Sequence, residues 1–445
     1  MNQAQNLWLR GGQVVTPKGL EKADVWIQDG RVVGVGSQLS VPEGTPERDC
    51  SGLWVFPGLI DPQVHFREPG LTHKEDLESG SRAALAGGIT AFMEMPNTNP
   101  MTTDPIALQD KLSRAEDHSV ADYAFFLGAT TDNADVLGDW EALPGCAGIK
   151  VFMGSSTGDL LVRDDATLER ILRGGTRRVT VHSEDDYRLK QRYSDLAPKA
   201  QVTEHHHIRD IECAVLATRR LLDLVERTHR PVHILHVSTA EELALVRERD
   251  LGELVTLEAT PNHLFLHAPD CYEQFGSYAQ MNPPVRERRH QEALRRACAD
   301  GLITCIGSDH APHTKEEKAK PYPNSPSGIP GTQTILPLLL TAVRDGWLRI
   351  EDILRLSLQG PIQVYGVTDR GPLAPGVQGN VTLVDPRFQD PLPLEWLQSK
   401  TGWSPFAGRP MAGLPVTTIL RGQVAYDQGH FHPTACEPIR FAAGH

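Results

Sequence analysis

The sequence has no long apolar run, no paired-cysteine motif and no excess of positive charge. No stretch of about 18 consecutive apolar residues occurs in its 445 residues, so we expect no helical membrane span. The segment MNQAQNLWLRGGQVV lacks the basic region followed by an apolar region that a signal peptide requires. The formal net charge of −13 argues against nucleic acid and anionic membrane surfaces as partners. We therefore expect a cytoplasmic protein.

The cysteines support the same compartment. There are seven, an odd number, and none is arranged as Cys-x-x-Cys. An odd number excludes a complete intramolecular disulfide set, and the spacing offers no zinc ribbon. The pattern indicates a reducing environment.

The chain divides into three segments by pattern. Residues 1–56 and 369–445 contain short alternating strands with glycine and Asp-Gly turns, and we expect them to form one small β-domain from both chain ends. Residues 57–368 alternate apolar strands with helical stretches, which predicts a (β/α)8 barrel. The predicted barrel strands are 58–66, 89–95, 122–128, 147–153, 178–183, 232–237, 254–259 and 303–308. A doubly wound open sheet is the alternative, and the count of eight disfavours it.

Reactive side chains follow the ends of the predicted strands. Chemistry in such a barrel is performed at the carboxyl ends of its strands. Three histidines and an aspartate occupy four separate strand ends: His65, His182, His236 and Asp309. Imidazole and carboxylate groups that converge in this way are the ligands that zinc prefers, so the sequence predicts a metal site.

Lys150 lies inside an apolar predicted strand, AGIKVFM. A buried ammonium is costly unless it is paired, so one explanation is an ion pair with a buried carboxylate. The other is that CO2 has carboxylated the amine and made it an anionic bridge between two metals. The residues alone do not decide between them.

Three consecutive histidines, His205 to His207, form the other histidine-rich feature. They precede a predicted helix and lie away from the strand ends. We expect them on the surface or in a loop.

Longer motifs connect the chain to a known family. The motifs are GLIDPQVHFREPGLTHKEDLESGSRAALAGG, MEMPNTNP, GIKVFMGSSTG, VHSED, HILHVSTAEE, EATPNHL, MNPPVR, GSDHAPHT, SGIPGTQT and TGWSPFAGRP. With them the sequence resembles the dihydroorotases of the amidohydrolase superfamily over nearly its whole length. The resemblance implies a barrel with a flanking β-domain. It also implies the reversible, zinc-dependent hydrolysis of (S)-dihydroorotate to N-carbamoyl-L-aspartate in pyrimidine biosynthesis.

The resemblance also implies roles for individual residues. His65 would bind the more buried of two zinc ions, and His182 and His236 the second. A carboxylated Lys150 would bridge them, and Asp309 would bind the first ion and act as acid and base. The residues implied to hold the carboxylate-bearing substrate are Arg67, Asn97, Asn282 and His313.

One position departs from the family pattern. Relatives usually have His-x-His at the end of the first barrel strand, whereas this chain has Gln63-Val-His65. A neutral amide oxygen is a poorer zinc ligand than imidazole. The consequence is a weaker first metal, a site with one ion, or an inactive chain that serves as a scaffold for aspartate transcarbamoylase. Because the other five metal-site residues remain, we expect an active enzyme.

Other cyclic amidohydrolases are the remaining alternatives. Allantoinases and the dihydropyrimidinase and hydantoinase group also open rings that contain a ureido amide. Their substrates lack the ring carboxylate of dihydroorotate, and Arg67 with Asn97 and His313 offers a binding group for that carboxylate. These residues favour dihydroorotase. We expect a homodimer, and association with aspartate transcarbamoylase stays open.

Overall fold

Seven short strands precede the barrel in the computed structural model, which describes residues 5–154 and 160–442. Glycines and Asp-Gly pairs separate these strands, as the sequence predicts. They are β1 (Leu7–Arg10), β2 (Gln13–Thr16), β3 (Gly19–Lys22), β4 (Asp24–Gln28), β5 (Arg31–Gly36), β6 (Glu47–Asp49) and β7 (Trp54–Pro57).

Eight parallel strands form the central barrel. They are β8 (Leu59–Val64), β9 (Ile89–Glu94), β10 (Asp122–Gly128), β11 (Cys146–Phe152), β12 (Val179–His182), β13 (Val232–Ile234), β14 (Val255–Ala259) and β15 (Cys305–Ile306). Each pairs with the next one along the chain. A parallel bridge between Val64 and His310 brings the last strand back beside the first. The predicted barrel is confirmed, and sequential strand order rules out the doubly wound alternative.

The observed strands match the predicted ones in number and order, with two notable differences in length. Strand β13 stops at Ile234 and β15 at Ile306, where the sequence predicted strands to 237 and 308. His236 and Asp309 have φ angles of 36° and 48°. Such left-handed backbone cannot continue a strand, so both strands end just before these two residues, which the sequence predicts to bind metal.

Helices connect the strands and cover the barrel. They are α1 (Leu77–Ala86), α2 (Pro105–His118), α3 (Leu137–Trp140), α4 (Asp165–Arg173), α5 (Asp186–Leu196), α6 (His205–Ile208), α7 (Ile211–Thr228), α8 (Ala240–Arg249), α9 (Pro261–Phe265), α10 (Asp270–Phe275), α11 (Arg288–Ala299), α12 (Lys315–Lys318), α13 (Ile335–Arg344), α14 (Ile350–Leu354) and α15 (Gly360–Tyr365). Polar side chains fix several of their starts. Asp76 caps α1 by accepting a hydrogen bond from the Ser79 amide, and Thr239 caps α8 through Glu242. Among the described residues, no helix is long and apolar enough to span a bilayer.

The last four strands complete the flanking β-domain. They are β16 (Val381–Asp385), β17 (Leu414–Leu420), β18 (Gln423–Asp427) and β19 (His430–Phe431). One sheet has the order β19-β18-β17-β16-β7-β2-β3, so it joins both chain ends, and the other has the order β5-β4-β1-β6. A separate apolar core that includes Ile27, Val55 and Ile419 packs between them. The β-domain built from both ends is confirmed, whereas the boundaries at 56/57 and 368/369 stay predictions.

Candidate active site

The residues predicted to bind metal all lie at the carboxyl ends of barrel strands, and all are buried. His65 follows β8, Lys150 is near the end of β11, His182 ends β12, His236 follows β13 and Asp309 follows β15. Two close groups result, one around Asp309 and one around His182.

The first group joins His65 to Asp309. The Nε2 of His65 lies 3.1 Å from Oδ1 of Asp309, and its Nδ1 lies 2.7 Å from Oδ1 of Asn97. An amide oxygen can only accept, so Nδ1 of His65 donates to it. Burial lowers the pKa of His65, which keeps the ring neutral and leaves a lone pair on Nε2. Two acceptors, Nε2 and the carboxylate oxygen, therefore face each other, an arrangement that a bound cation would satisfy.

Gln63 lies in the same group. Its Nε2 donates to Oδ1 of Asp309 over 3.2 Å. Its Oε1 is buried and has no hydrogen-bond partner among the described residues. Rotation of the amide by 180° would bring that oxygen to the side of Asp309. The glutamine therefore offers either a donor to the carboxylate or a neutral oxygen to a cation.

The second group joins His182 to His236. Nδ1 of His182 lies 3.1 Å from Nε2 of His236. Nε2 of His182 lies 2.9 Å from a carboxylate oxygen of Glu184, so it carries the proton and leaves the lone pair on Nδ1. Two nitrogens on one tetrahedral zinc, at about 2.0–2.1 Å each, are separated by about 3.3 Å. The observed spacing fits a shared metal ion.

Glu184 is itself held by a buried cation. It accepts hydrogen bonds from Nε of Arg209 (3.2 Å) and from the terminal nitrogen NH2 of the same guanidinium. Burial alone would raise the pKa of Glu184, but the charge of Arg209 and the hydrogen bond from His182 hold it well below its ordinary value. A permanent carboxylate therefore orients His182, as carboxylates beside metal-binding histidines do.

Lys150 interacts electrostatically with residues of both groups. Burial lowers its pKa to about 7, and the charges of Asp309 and Glu258 only partly oppose that shift. Its charge in turn lowers the pKa of His182 and of His236. Within the described residues no carboxylate lies within 4.0 Å of its Nζ, and the ring of Phe152 lies 4.5 Å away. Among the described residues the simple buried ion pair is therefore not formed, and a pKa of about 7 leaves a substantial fraction of the amine neutral near pH 7.

Arg67 is buried beside the first group. Its backbone is left-handed, with φ of 67°, and its Nε donates to the carbonyl of Pro312 over 3.2 Å. Burial lowers the pKa of this guanidinium to about 10, and the charge of Asp309 is the largest effect that opposes the shift. Arg67 thus places a charged donor close to Asp309.

His313 lies against Arg67 and is fully buried. Its Nε2 lies 3.0 Å from the carbonyl oxygen of Ser327, so this nitrogen carries the proton, and NH2 of Arg67 packs 3.2 Å from it. Its Nδ1 then accepts from Nζ of Lys74 over 3.1 Å. Lys74 also pairs with Glu317 at 3.1 Å. His313 is therefore held by the Ser327 carbonyl and by Lys74, and the Arg67 guanidinium packs beside its protonated Nε2 without a hydrogen bond.

Asn282 is held from the other side of the site. Its Oδ1 lies 3.1 Å from Nε2 of His205, which also lies 3.0 Å from the carbonyl of Met281. His205 is fully buried in α6, and His206 is 5% exposed. The expectation of a surface histidine run is therefore wrong for these two residues, because their rings pack against Tyr272 and Tyr322. Only His207 is exposed.

Sequence analysis missed several residues that support the site. Glu184 and Lys74 lie within the VHSED and LTHKED motifs, but the sequence assigned neither of them a role. The one available signal for Glu184 was its position two residues after His182, a predicted ligand. Arg209 and Glu317 gave no signal, and Asp61 was visible at the end of the first predicted strand without an assigned role. Asp61 accepts from the amide (3.0 Å) and hydroxyl (2.5 Å) of Ser308, which fixes the segment that carries Asp309.

Comparisons with known proteins agree with this fold. The model of the amidohydrolase family matches residues 54–135. A dihydroorotase of Geobacter sp. (strain M21) is 36% identical over 434 residues, covering 95% of this chain and 100% of that protein. A dihydroorotase of Methanosarcina acetivorans is 33% identical, with 95% and 92% covered. Among solved structures, L-hydantoinase (dihydropyrimidinase) from Arthrobacter aurescens matches with a TM-score of 0.91 at 26% identity, covering 98% of this chain and 100% of that one.

A parallel eight-stranded barrel with histidine and aspartate side chains converging at its strand ends defines an amidohydrolase, a class whose members are typically metal-dependent. Identity above 30% over almost the whole chain is more specific. The chain belongs to the dihydroorotase family of the amidohydrolase superfamily, and the resemblance seen in its motifs is confirmed.

Proposed function

We propose that this protein is a dihydroorotase that hydrolyses (S)-dihydroorotate reversibly to N-carbamoyl-L-aspartate with the help of zinc. The observation that carries the proposal is the buried guanidinium of Arg67 beside the Asp309 group. A substrate with a ring carboxylate needs a cation near the reacting amide, and a desolvated guanidinium offers two parallel donors to a carboxylate.

The residues of the site fit one or two metal ions. His182 and His236 would hold one, His65 and Asp309 the other, and a carboxylated Lys150 would bridge them. A bound zinc ion would polarise the scissile carbonyl and lower the pKa of a bound water. The neutral fraction of Lys150 near pH 7 supports the carboxylation, because only an unprotonated amine attacks CO2.

Asp309 would move the proton during the reaction. Its carboxylate lies 3.1 Å from His65 and accepts from Gln63, so its position is fixed within the site. From there it would take a proton from the attacking water and return it to the leaving ring nitrogen. Arg67, Asn97, Asn282 and His313 would hold the substrate.

Hydantoinases among the structural neighbours keep a second cyclic amide substrate open. A ring without a carboxylate would leave Arg67 buried and unpaired, which is costly in a desolvated site. This cost favours a substrate with a carboxylate. We also infer a cytoplasmic homodimer. Association with aspartate transcarbamoylase stays open, and light scattering of the two purified proteins, separately and mixed, would test both points.

The decisive experiment measures ring opening of dihydroorotate, dihydrouracil and allantoin by wild type, Arg67→Ala and Arg247→Ala. Arg247 is exposed and pairs with Asp300 on the surface, so it is the control. Loss of a buried charge partner costs about 2–5 kcal/mol, so kcat/KM for dihydroorotate should fall at least about 30-fold in Arg67→Ala, with metal content and Arg247→Ala unchanged. Faster turnover of dihydrouracil or allantoin than of dihydroorotate would refute dihydroorotate as the substrate. No turnover of any of the three by zinc-replete wild type would favour a scaffold.

A further inference from the structure

Two histidines and a glutamate meet at a place that the proposed reaction does not use. The ligand atoms of His206, His207 and Glu287 all lie within 4.8 Å of one another. Nε2 of His206 is 3.7 Å from Oε1 of Glu287. That distance is too long for a hydrogen bond, so this imidazole does not occupy the carboxylate as a hydrogen-bond donor. His206 and His207 belong to α6, and Glu287 precedes α11.

The surrounding residues hold these side chains in place. The ring of His206 stacks on Tyr272 with 5.4 Å between centroids and 8° between planes, and the Tyr272 hydroxyl donates to the carbonyl of Val285. Arg286 donates to the carbonyls of His206 (3.2 Å) and Arg209. The two chain segments that carry the three ligands are therefore joined before any ion binds.

A third histidine faces the carboxylate from inside the protein. His290 is fully buried, and its Nδ1 accepts from the amide of Ala240 over 3.0 Å, so in the neutral ring Nε2 carries the proton. That Nε2 lies 3.5 Å from Oε2 of Glu287 and has no hydrogen-bond partner among the described residues. An imidazole N–H directed at a ligating carboxylate is the outer-shell support that metal sites use.

The protonation states also suit a cation. Burial lowers the pKa of His206 to about 4, so its ring is neutral at physiological pH. Burial by itself would raise the pKa of Glu287, but its backbone and the nearby histidines hold it below its ordinary value. A neutral imidazole and an ionised carboxylate bind metal without first losing a proton.

We propose that His206, His207 and Glu287 form a second transition-metal site, distinct from the one at the strand ends, with His290 orienting the glutamate. Two imidazoles and one carboxylate suit zinc and leave a fourth position for water. The ion would tie α6 to the segment before α11. The same two segments are joined by the contact between His205 and Asn282, so occupancy should order Asn282. Only the expected ordering of Asn282 depends on the proposed function.

The test titrates zinc into holoenzyme already loaded at its active site, with bound zinc counted by mass spectrometry after gel filtration. The variants are His207→Ala, which changes an exposed side chain, and Glu287→Gln. The controls are His430→Ala and Glu273→Gln, both exposed. We expect one additional ion per chain in wild type and controls. By analogy with the smallest losses at outer-shell positions, we expect its affinity to fall about 10-fold or more in both variants.

The comparison between variants separates this site from incomplete loading of the active site. An extra ion bound at the position near Gln63 would be retained unchanged by His207→Ala and Glu287→Gln, and that result would overturn the proposal. Absence of an additional ion in wild type would also overturn it. Neither result depends on which cyclic amide the enzyme opens.

Discussion

Replacement of Glu184 by glutamine should weaken metal binding, although Glu184 itself is not a predicted metal ligand. The carboxylate accepts from Nε2 of His182 and from the guanidinium of Arg209, with all three side chains at most 3% exposed. A glutamine has one acceptor oxygen in place of two. Its amide nitrogen would therefore meet either the Arg209 guanidinium or the N–H of His182, donor against donor.

The magnitude follows from these two contacts. An outer-shell partner of a metal-binding histidine contributes about 10–100-fold to metal affinity, or about 1.4–2.8 kcal/mol. The free energy of unfolding should fall by a larger amount, about 3–5 kcal/mol, because the buried charge of Arg209 loses its partner. In Glu184→Gln the proton of His182 can move to Nδ1, the nitrogen that faces His236, and this shift removes the lone pair intended for the metal.

Chelator competition on metal-free enzyme would measure the affinity, and urea denaturation the stability. Glu273→Gln is the matched control, because Glu273 is exposed on α10. Wild-type zinc affinity in Glu184→Gln, together with reduced stability, would show that Glu184 only supports the fold. Unchanged values of both quantities would refute the assignment of the buried network.

Three further substitutions test the site from other directions. Gln63→His should tighten the weaker metal position about 10–100-fold by analogy with lost metal contacts, and an unchanged zinc stoichiometry and affinity would contradict it. Asp309→Ala should lower kcat about 10²–10⁴-fold with some metal loss, whereas near-normal turnover would assign proton transfer to another group. Lys150→Ala should lose metal and activity together and regain part of both with short carboxylic acids. A high-resolution map of wild type with a bare ammonium at Lys150 paired to a carboxylate would contradict the bridge.

The barrel was predictable because its strands are short, apolar and regularly spaced. That pattern depends only on local sequence, and the strand at 122–128 was predicted to the residue. Strand ends near the site were not predictable, because the left-handed backbone of His236 and Asp309 is imposed by tertiary packing. Non-glycine residues with left-handed backbone are uncommon, and the identities of His236 and Asp309 do not predict that conformation.

The candidate site was predictable to the same extent and for a related reason. The predicted metal ligands His65 and His182 lie at strand ends, and the fold brings strand ends together. Arg209 lies 25 residues from Glu184 and approaches it only through the turn between α6 and α7. No periodicity encodes such a contact. The same holds for the histidine run, where packing against Tyr272 and Tyr322 buries residues whose polarity indicated a surface.

The contacts of His313 extend the proposed substrate site beyond the four residues that the family resemblance implies. Both of its ring nitrogens have protein partners, the Ser327 carbonyl and Lys74. Nitrogens of Arg67 and Lys74 lie 3.2 Å and 3.1 Å from Nε2 and Nδ1 of the same imidazole, and Lys74 also pairs with Glu317. Two cations close to one another would attract a substrate carboxylate more strongly than a single arginine. This arrangement gives the chain a physical reason to prefer an acidic ring over the uncharged rings of the hydantoinase group.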